Sequence, residues 1–249
     1  MKNAFENQRF IIFGATGGIG SALARQLAAQ GAQLTLVARD NSRLTALAAE
    51  LTAAARTCDV TDGLAVATCV DDVVNQFGRI DGAVNCVGSL LLKPVHLTTD
   101  AEWASTLAAN LTSSFHILRA TTDVMMKTGG GSLVFMTSAV AQRGMINHEA
   151  IAAAKAGIVG LAQSAAATYA RFNIRVNCVA PGLTRTPLTA ALTRNEASLK
   201  AATALHPLGR IGAPEEVASA IRWFLDPMQQ WVTGQVLAVD GGLSSVQAR

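Results

Sequence analysis

Four glycines fall within seven residues, Gly14, Gly17, Gly18 and Gly20, directly after the apolar run Phe10-Ile11-Ile12-Phe13. The residues that follow, 21–30, carry Leu23 and Leu27 at helical spacing. A short apolar run closed by glycine reads as a buried strand. Strand, glycine turn and helix in succession is the context that makes a glycine-rich stretch informative. Without Cβ atoms the chain can turn tightly, and its backbone N–H groups can lie against a pyrophosphate. The helix that starts there aims its unpaired amides and positive dipole end at the same anion. The spacing G-x-x-x-G-x-G differs from the dinucleotide fingerprint G-x-G-x-x-G, so two readings stand: a related phosphate cradle, or a tight turn with no ligand.

The alternation continues along the chain. Residues 33–39, 56–60, 80–87, 132–137, 174–179 and 235–239 read as further strands. Residues 42–51, 62–77, 100–127, 149–172 and 214–225 read as helices, the last opened by Pro214, which is favoured in a first turn. The strands are apolar on both faces, as in a parallel sheet covered on each side. The expectation is an α/β fold, a Rossmann-type doubly wound parallel sheet of about seven strands with helices on both faces. No linker or low-complexity segment divides residues 1–249, which read as a single domain. In such sheets ligands bind beyond the carboxyl ends of the strands. Gly14, Arg39, Asp59, Asn85, Ser138 and Pro181 should then ring one crevice.

Composition narrows the function classes. Hydrophobic residues make up 50% of the 249 and charged residues 15%, enough apolar material for a substantial core. No apolar run approaches the ~20 residues a bilayer crossing requires, and the first strand and its glycines stand where an export signal would need an apolar helix. A cytoplasmic location and no membrane partner are expected. The net charge of +3 is dispersed, which argues against nucleic acid. The four cysteines, Cys58, Cys69, Cys86 and Cys178, form no C-x-x-C pair, so no metal site is expected and a reduced setting fits.

These residues resemble the short-chain dehydrogenase/reductase family, in its single-domain branch of about this length, over nearly the whole chain. Gly14-Ala15-Thr16-Gly17-Gly18-Ile19-Gly20 is similar to the family's glycine motif, with Phe13 where threonine is common. Asp59-Val60 resembles the pair that touches adenine. Asn85-Cys86-Val87-Gly88 resembles Asn-Asn-Ala-Gly, keeping its first Asn and its Gly. Asn110, Ser138 and Lys155 match three members of the catalytic tetrad. Ile174-Arg175-Val176-Asn177, with Pro181-Gly182 and Thr186, resembles the segment bordering the nicotinamide.

One position departs from the pattern. The family's tyrosine stands thirteen residues after the serine and four before the lysine; here that residue is Ile151. The resemblance implies that serine binds the substrate oxygen, lysine binds ribose and lowers the phenol's pKa, and asparagine holds a relay water. Isoleucine has no proton to give, and a lost general acid forfeits ~10²–10⁴-fold in rate. Tyr169 lies fourteen residues past Lys155, about 21 Å along a helix, too far to substitute. His148 is a candidate donor, since 148, 151 and 155 share one helical face. The alternative is that His148 is a first-turn surface residue beside Asn147 as N-cap.

At the end of the second strand, Ala38 stands where NAD-preferring members carry Asp, and Arg39 follows. A guanidinium can grip a 2′-phosphate with two hydrogen bonds, so NADP(H) is expected over NAD(H); the alternative is that Arg39 faces solvent and Asp40 caps the next helix. Residues 183–212 correspond to the family's substrate lid. With Leu90, Leu91, Leu92, Met145 and Ile146, the lid suggests an apolar pocket for a small carbonyl or alcohol; the same residues could equally be ordinary packing. The resemblance also implies a homo-oligomer, tetramer or dimer. Two functions remain open: an NADP(H)-dependent oxidoreductase with a non-standard proton donor, or a nicotinamide-binding sensor, scaffold or partner subunit without dehydrogenase activity.

Overall fold

In strand β1 (Arg9–Phe13) successive side chains enter two different cores. Phe10 and Ile12 pack into one and Ile11 and Phe13 into the other, as the period of two along a strand requires. The computed structural model, which describes residues 4–247, builds a three-layer molecule on this division. The strands are β1, β2 (Gln33–Ala38), β3 (Ala54–Thr57), β4 (Gly82–Asn85), β5 (Gly131–Met136), β6 (Ile174–Pro181) and β7 (Val236–Val239). They form one sheet in the order β3-β2-β1-β4-β5-β6-β7, parallel throughout.

The helices are α1 (Gly18–Ala28), α2 (Asn41–Leu51), α3 (Gly63–Phe77), α4 (Asp100–Leu107), α5 (Ser113–Thr128), α6 (Glu149–Tyr169), α7 (Ala190–Arg194), α8 (Glu196–Leu205) and α9 (Pro214–Leu225). Helices α1, α2 and α9 supply one core; α3, α5 and α6 supply the other. The chain leaves β1 for β2 on one side and returns to β4 on the other. A crevice therefore opens above the carboxyl ends of β1 and β4, the switch point of a doubly wound sheet.

Several boundaries differ from the sequence reading. Helix α1 begins at Gly18, so Gly18 and Gly20 lie in its first turn and not ahead of it. The third strand, expected at 56–60, runs Ala54–Thr57, because its ladder to β2 ends at Ala38↔Thr57. Asp59 then turns the chain by accepting from the backbone N–H and hydroxyl of Thr61. The helix expected over 100–127 is interrupted by one π-turn, Ala108–Thr112, where Ser113 N–H reaches back to Ala108 O. The surplus residue turns Asn110 wholly inward, with 0% exposure. Such π-turns mark functional sites often enough to be worth following. The stretch after Pro181, expected to be irregular, contains α7 and α8.

Glu149–Phe172 is long and apolar enough to cross a membrane by length and hydropathy. In this fold it is a core helix: Ile158, Ala162, Ala165 and Ala166 are buried in the core with β5 and β6.

Candidate active site

The crevice divides into two joined cavities. The first, of about 540 Å³, is lined by Gly14, Thr16, Gly17, Gly18, Ile19, Gly20, Arg39, Asp59, Val60, Gly88 and Thr186 among others. Its floor is glycine for steric reasons. Gly14 has φ of +77°, and a Cβ on it would sit 2.8 Å from Val87 N. A Cβ on Gly20 would sit 2.3 Å from Gly14 O, and one on Gly18 would sit 2.8 Å from the Thr186 methyl. Gly17, the N-cap of α1, has no side chain to satisfy the first-turn amides. Those amides and the helix dipole suit an anion, so the cradle fits the pyrophosphate of a dinucleotide.

Beyond the phosphate cradle, Val37, Ala38, Arg39, Asp59 and Val60 form the far wall. Asp40 is the N-cap of α2, accepting from Arg43 N–H at 3.1 Å. The Arg39 guanidinium is 76% exposed and lies 4.0 Å from Asp59. Arg43, which the sequence reading did not single out, also lines this wall, and its Nη2 donates to Thr16 O at 2.8 Å. Its place in the first turn of α2, four residues after Arg39, was the available signal. Two guanidinium groups and no carboxylate at residue 38 define this end. Hydrogen bonds from the Thr61 backbone and hydroxyl hold the Asp59 carboxyl below its ordinary pKa.

The second cavity, of about 370 Å³, brings together Ser138, His148, Ile151, Lys155, Pro181 and Gly182. Its remaining walls are largely apolar, with Leu90 and Leu92 on one side, Met145 on another, and Leu188, Leu192 and Leu205 from the 183–212 segment above; Leu91 and Ile146, expected here, do not line it, and Ile146 is 87% exposed. Ile19, Cys86, Gly88, Ser89 and Thr186 line both cavities, so a molecule seated in the first can present one end to the second.

Each polar group here has a definite anchor. Ser138 follows β5 and its Oγ accepts from Val140 N–H at 3.4 Å. Lys155, on α6, is 8% exposed, and its Nζ donates to Met136 O at 2.9 Å. Burial pushes its pKa down to about 8, with the Cys178 and Cys86 thiols opposing that fall. The same burial pushes both thiols up to about 12, so neither serves as a thiolate near neutrality.

Asn147 takes a left-handed φ of 63°, and His148 is the N-cap of α6, making no side-chain cap bond. Ala152 N–H donates to His148 O at 2.7 Å, which puts His148, Ile151 and Lys155 in helical register on one cavity wall. His148 Nδ1 lies 2.7 Å from Ile146 O. A carbonyl only accepts, so Nδ1 carries a proton and Nε2 is the nitrogen left for a ligand.

Two expected site residues lie beneath the cavities. Asn85 donates through Nδ2 to Ser113 Oγ at 3.2 Å and Ser114 Oγ at 3.0 Å, and accepts Val87 N–H at 3.0 Å. Asn110 donates to Ser89 Oγ at 3.0 Å and Thr106 O at 2.9 Å, and accepts Ser89 N–H at 3.3 Å. Both fix the loop after β4 from below. A Cβ on Gly88 would meet Asn110 Oδ1 at 2.9 Å and Lys155 Nζ at 3.5 Å, so Gly88 lets these groups converge. Among the described residues no cluster of three His, Cys, Asp or Glu is placed to hold a metal ion.

Residues 14–244 match the family model described as enoyl-(acyl carrier protein) reductase. The chain is 38% identical over 256 aligned positions to cis-4-hydroxycyclohexanecarboxylate dehydrogenase of Sinomonas cyclohexanicum, covering 99% of this chain and 100% of that one. It is 36% identical over 245 positions to a 3-oxoacyl-acyl-carrier-protein reductase of Thermotoga maritima, covering 96% and 98%. Among solved structures, an actinorhodin polyketide ketoreductase with NADPH superimposes with a TM-score of 0.91 at 30% identity, covering 96% of this chain and 98% of that one.

Proposed function

Because this chain belongs to the short-chain dehydrogenase/reductase family of oxidoreductases, we propose that it transfers hydride between NADP(H) and a small carbonyl or alcohol, with His148 in place of the usual phenol. The observation that carries the reading is the meeting of a glycine-floored crevice with an apolar cavity that holds Ser138, His148 and Lys155. Gly14, Gly17, Gly18, Ile19 and Gly20 would hold the pyrophosphate. Asp59 and Val60 would border adenine, and Lys155, Pro181, Gly182 and Thr186 would border the nicotinamide riboside. When bound, the nicotinamide gives or takes the hydride.

The protein's own groups manage the oxygen. In the reducing direction Ser138 Oγ donates a hydrogen bond to the substrate carbonyl and fixes its orientation. His148 as the imidazolium, its Nδ1–H held by Ile146 O at 2.7 Å, passes its Nε2 proton to that oxygen and is left as the neutral Nδ1–H ring. The Lys155 ammonium favours the developing negative charge nearby, and Asn110 and Asn85 hold the Gly88–Ser89 corner in place. The apolar walls exclude water and select substrates with little polarity. Arg39 and Arg43 support the preference for a 2′-phosphate, because a guanidinium matches phosphate in a forked geometry. The protein is expected to act in the cytoplasm as a homo-oligomer, tetramer or dimer, with residues 183–212 as its substrate lid.

A second reading, a nicotinamide-binding sensor, scaffold or partner subunit without dehydrogenase activity, is favoured by Ile151, which offers no proton at the position where the family carries one. Stopped-flow oxidation of bound NADPH by a panel of neutral alicyclic and aryl ketones separates the two. Tight NADPH binding with no oxidation by any carbonyl would establish the second reading. Tighter binding of NADH than of NADPH would refute the cofactor assignment.

A further inference from the structure

The segment above the apolar cavity is attached in an unexpected way. Helix α8 buries none of its ten residues, and the five-residue α7 buries only Thr193. Surface helices owe most of their stability in a protein to an apolar face packed on a core, so this pair needs another hold. It lies at the first residue past α8. His206 is 4% exposed and commits both ring nitrogens: Nδ1 lies 2.7 Å from Ala202 O on α8, and Nε2 accepts Leu183 N–H at 3.2 Å just beyond β6. A carbonyl can only accept and an amide N–H can only donate, so these partners select the neutral ring with its proton on Nδ1. Gly182 makes room for it, since a Cβ there would stand 2.7 Å from Nε2.

The segment's other main-chain ties lie at its neck and just past His206, where Leu208 N–H donates to Gly241 O at 3.1 Å, and none of them is made by a residue of α7 or α8. Arg185 N–H donates to Gly212 O and Gly212 N–H to Leu183 O, each at 2.9 Å. Ala202 carries both functions: its carbonyl takes the His206 bond, and the residue lines the cavity beside Ala201, Leu205, Leu192 and His206 itself. Latch and cavity wall are therefore the same turn of helix. We propose that His206, as the neutral Nδ1–H tautomer, is a positioning residue that seats the α7–α8 lid on the end of β6 and thereby sets how tightly substrate is held. The link to substrate rests on the oxidoreductase reading above; the latch itself does not.

Trypsin acting on the full chain without cofactor reads the latch directly, at Arg194 and Lys200 within the lid. His206→Leu removes both bonds. His206→Gln can place its carboxamide oxygen where Nε2 accepts, and His206→Asn is too short to do so. Cleavage through local opening tracks the population of the open lid. Losing a buried hydrogen bond should raise that population about tenfold in the Leu and Asn variants and less than about threefold in the Gln variant. If the Leu variant does not fold, the Asn and Gln pair decides alone. Steady-state kinetics with NADPH should then show KM for the carbonyl raised about tenfold by His206→Asn, with kcat within about threefold, and restored by His206→Gln. Wild-type cleavage rates in the Asn variant overturn the latch. Faster cleavage with unchanged KM overturns its role in substrate binding. Absence of turnover in the wild-type protein refutes the oxidoreductase reading and the KM link with it, and leaves the cleavage result to decide the latch.

Discussion

Replacing Lys155 with methionine exchanges a buried ammonium for an apolar side chain of similar length. The charge is poorly compensated: Nζ has the Met136 carbonyl at 2.9 Å, and the neighbours that raise its pKa are the Cys178 and Cys86 thiols, no carboxylate being among them. Desolvation pushes the lysine from 10.5 to about 8. A difference of roughly 2.5 pH units corresponds to about 3 kcal/mol at ~1.36 kcal/mol per unit. The sign follows from proton linkage. Below pH 8 both folded and unfolded chains carry the proton, so the penalty is fully present. Between about 8 and 10.5 only the unfolded chain keeps it, and stability rises with pH. The lost bond to Met136 O offsets about 1 kcal/mol. Lys155→Met should therefore stabilise the cofactor-free protein at pH 7 by about 2 kcal/mol, or ~4–8 °C in Tm for a chain of this size. It should also remove the rise in wild-type stability between pH 8 and 10.5, while abolishing turnover. Urea or thermal unfolding of both proteins at pH 7 and pH 10 makes the comparison. A variant less stable than wild type at pH 7, or a wild-type stability flat across that interval, would refute the reasoning.

Ile151→Tyr places a phenol on the wall shared by Ser138 and Lys155, and should raise ketone reduction by ~10²-fold or more; an unchanged rate means the remaining groups are not arranged for this chemistry. His148→Ala should lower kcat about 10²-fold with the Kd for NADPH unchanged, and equal kcat values would remove His148 as the donor. The double substitution Arg39→Ala with Arg43→Ala should weaken NADPH by ~10–100-fold while leaving NADH binding nearly constant, as titration of the two coenzymes would show. Gly20→Ala forces a Cβ to within 2.3 Å of Gly14 O, where backbone cannot give way. Loss of coenzyme binding is expected, and fluorescence titration showing wild-type affinity would contradict the cradle.

The sheet was legible because its strands are buried on both faces and read as near-continuous apolar runs. The crevice was legible because glycine is demanded wherever backbone meets backbone, as at Gly14 and Gly20. Three features were not. The π-turn at 108–112 leaves no compositional mark, since an i→i+5 hydrogen bond needs no special residue. Helix α8 buries none of its residues, and the face it turns to the cavity, Ala201, Ala202 and Leu205, is too slight to mark a helix in the sequence. The His206 latch joins residues 23 apart in sequence, and only the folded chain brings them together. Asn85 and Asn110 are reached through the family resemblance, as a cofactor-binding and a water-holding residue, but sequence spacing cannot tell that they also hold the loop from beneath.

The one surplus residue between Thr106 and Ile117 ties chemistry to packing through simple counting. Each helical residue advances about 100° around the axis, so shortening this stretch by a single position would rotate everything beyond it by more than a quarter turn. Either the carboxamide of Asn110 would leave Ser89, or Ile117 and Leu118 would leave the core they fill. The number of residues in this stretch is thus as constrained as the identity of Asn110.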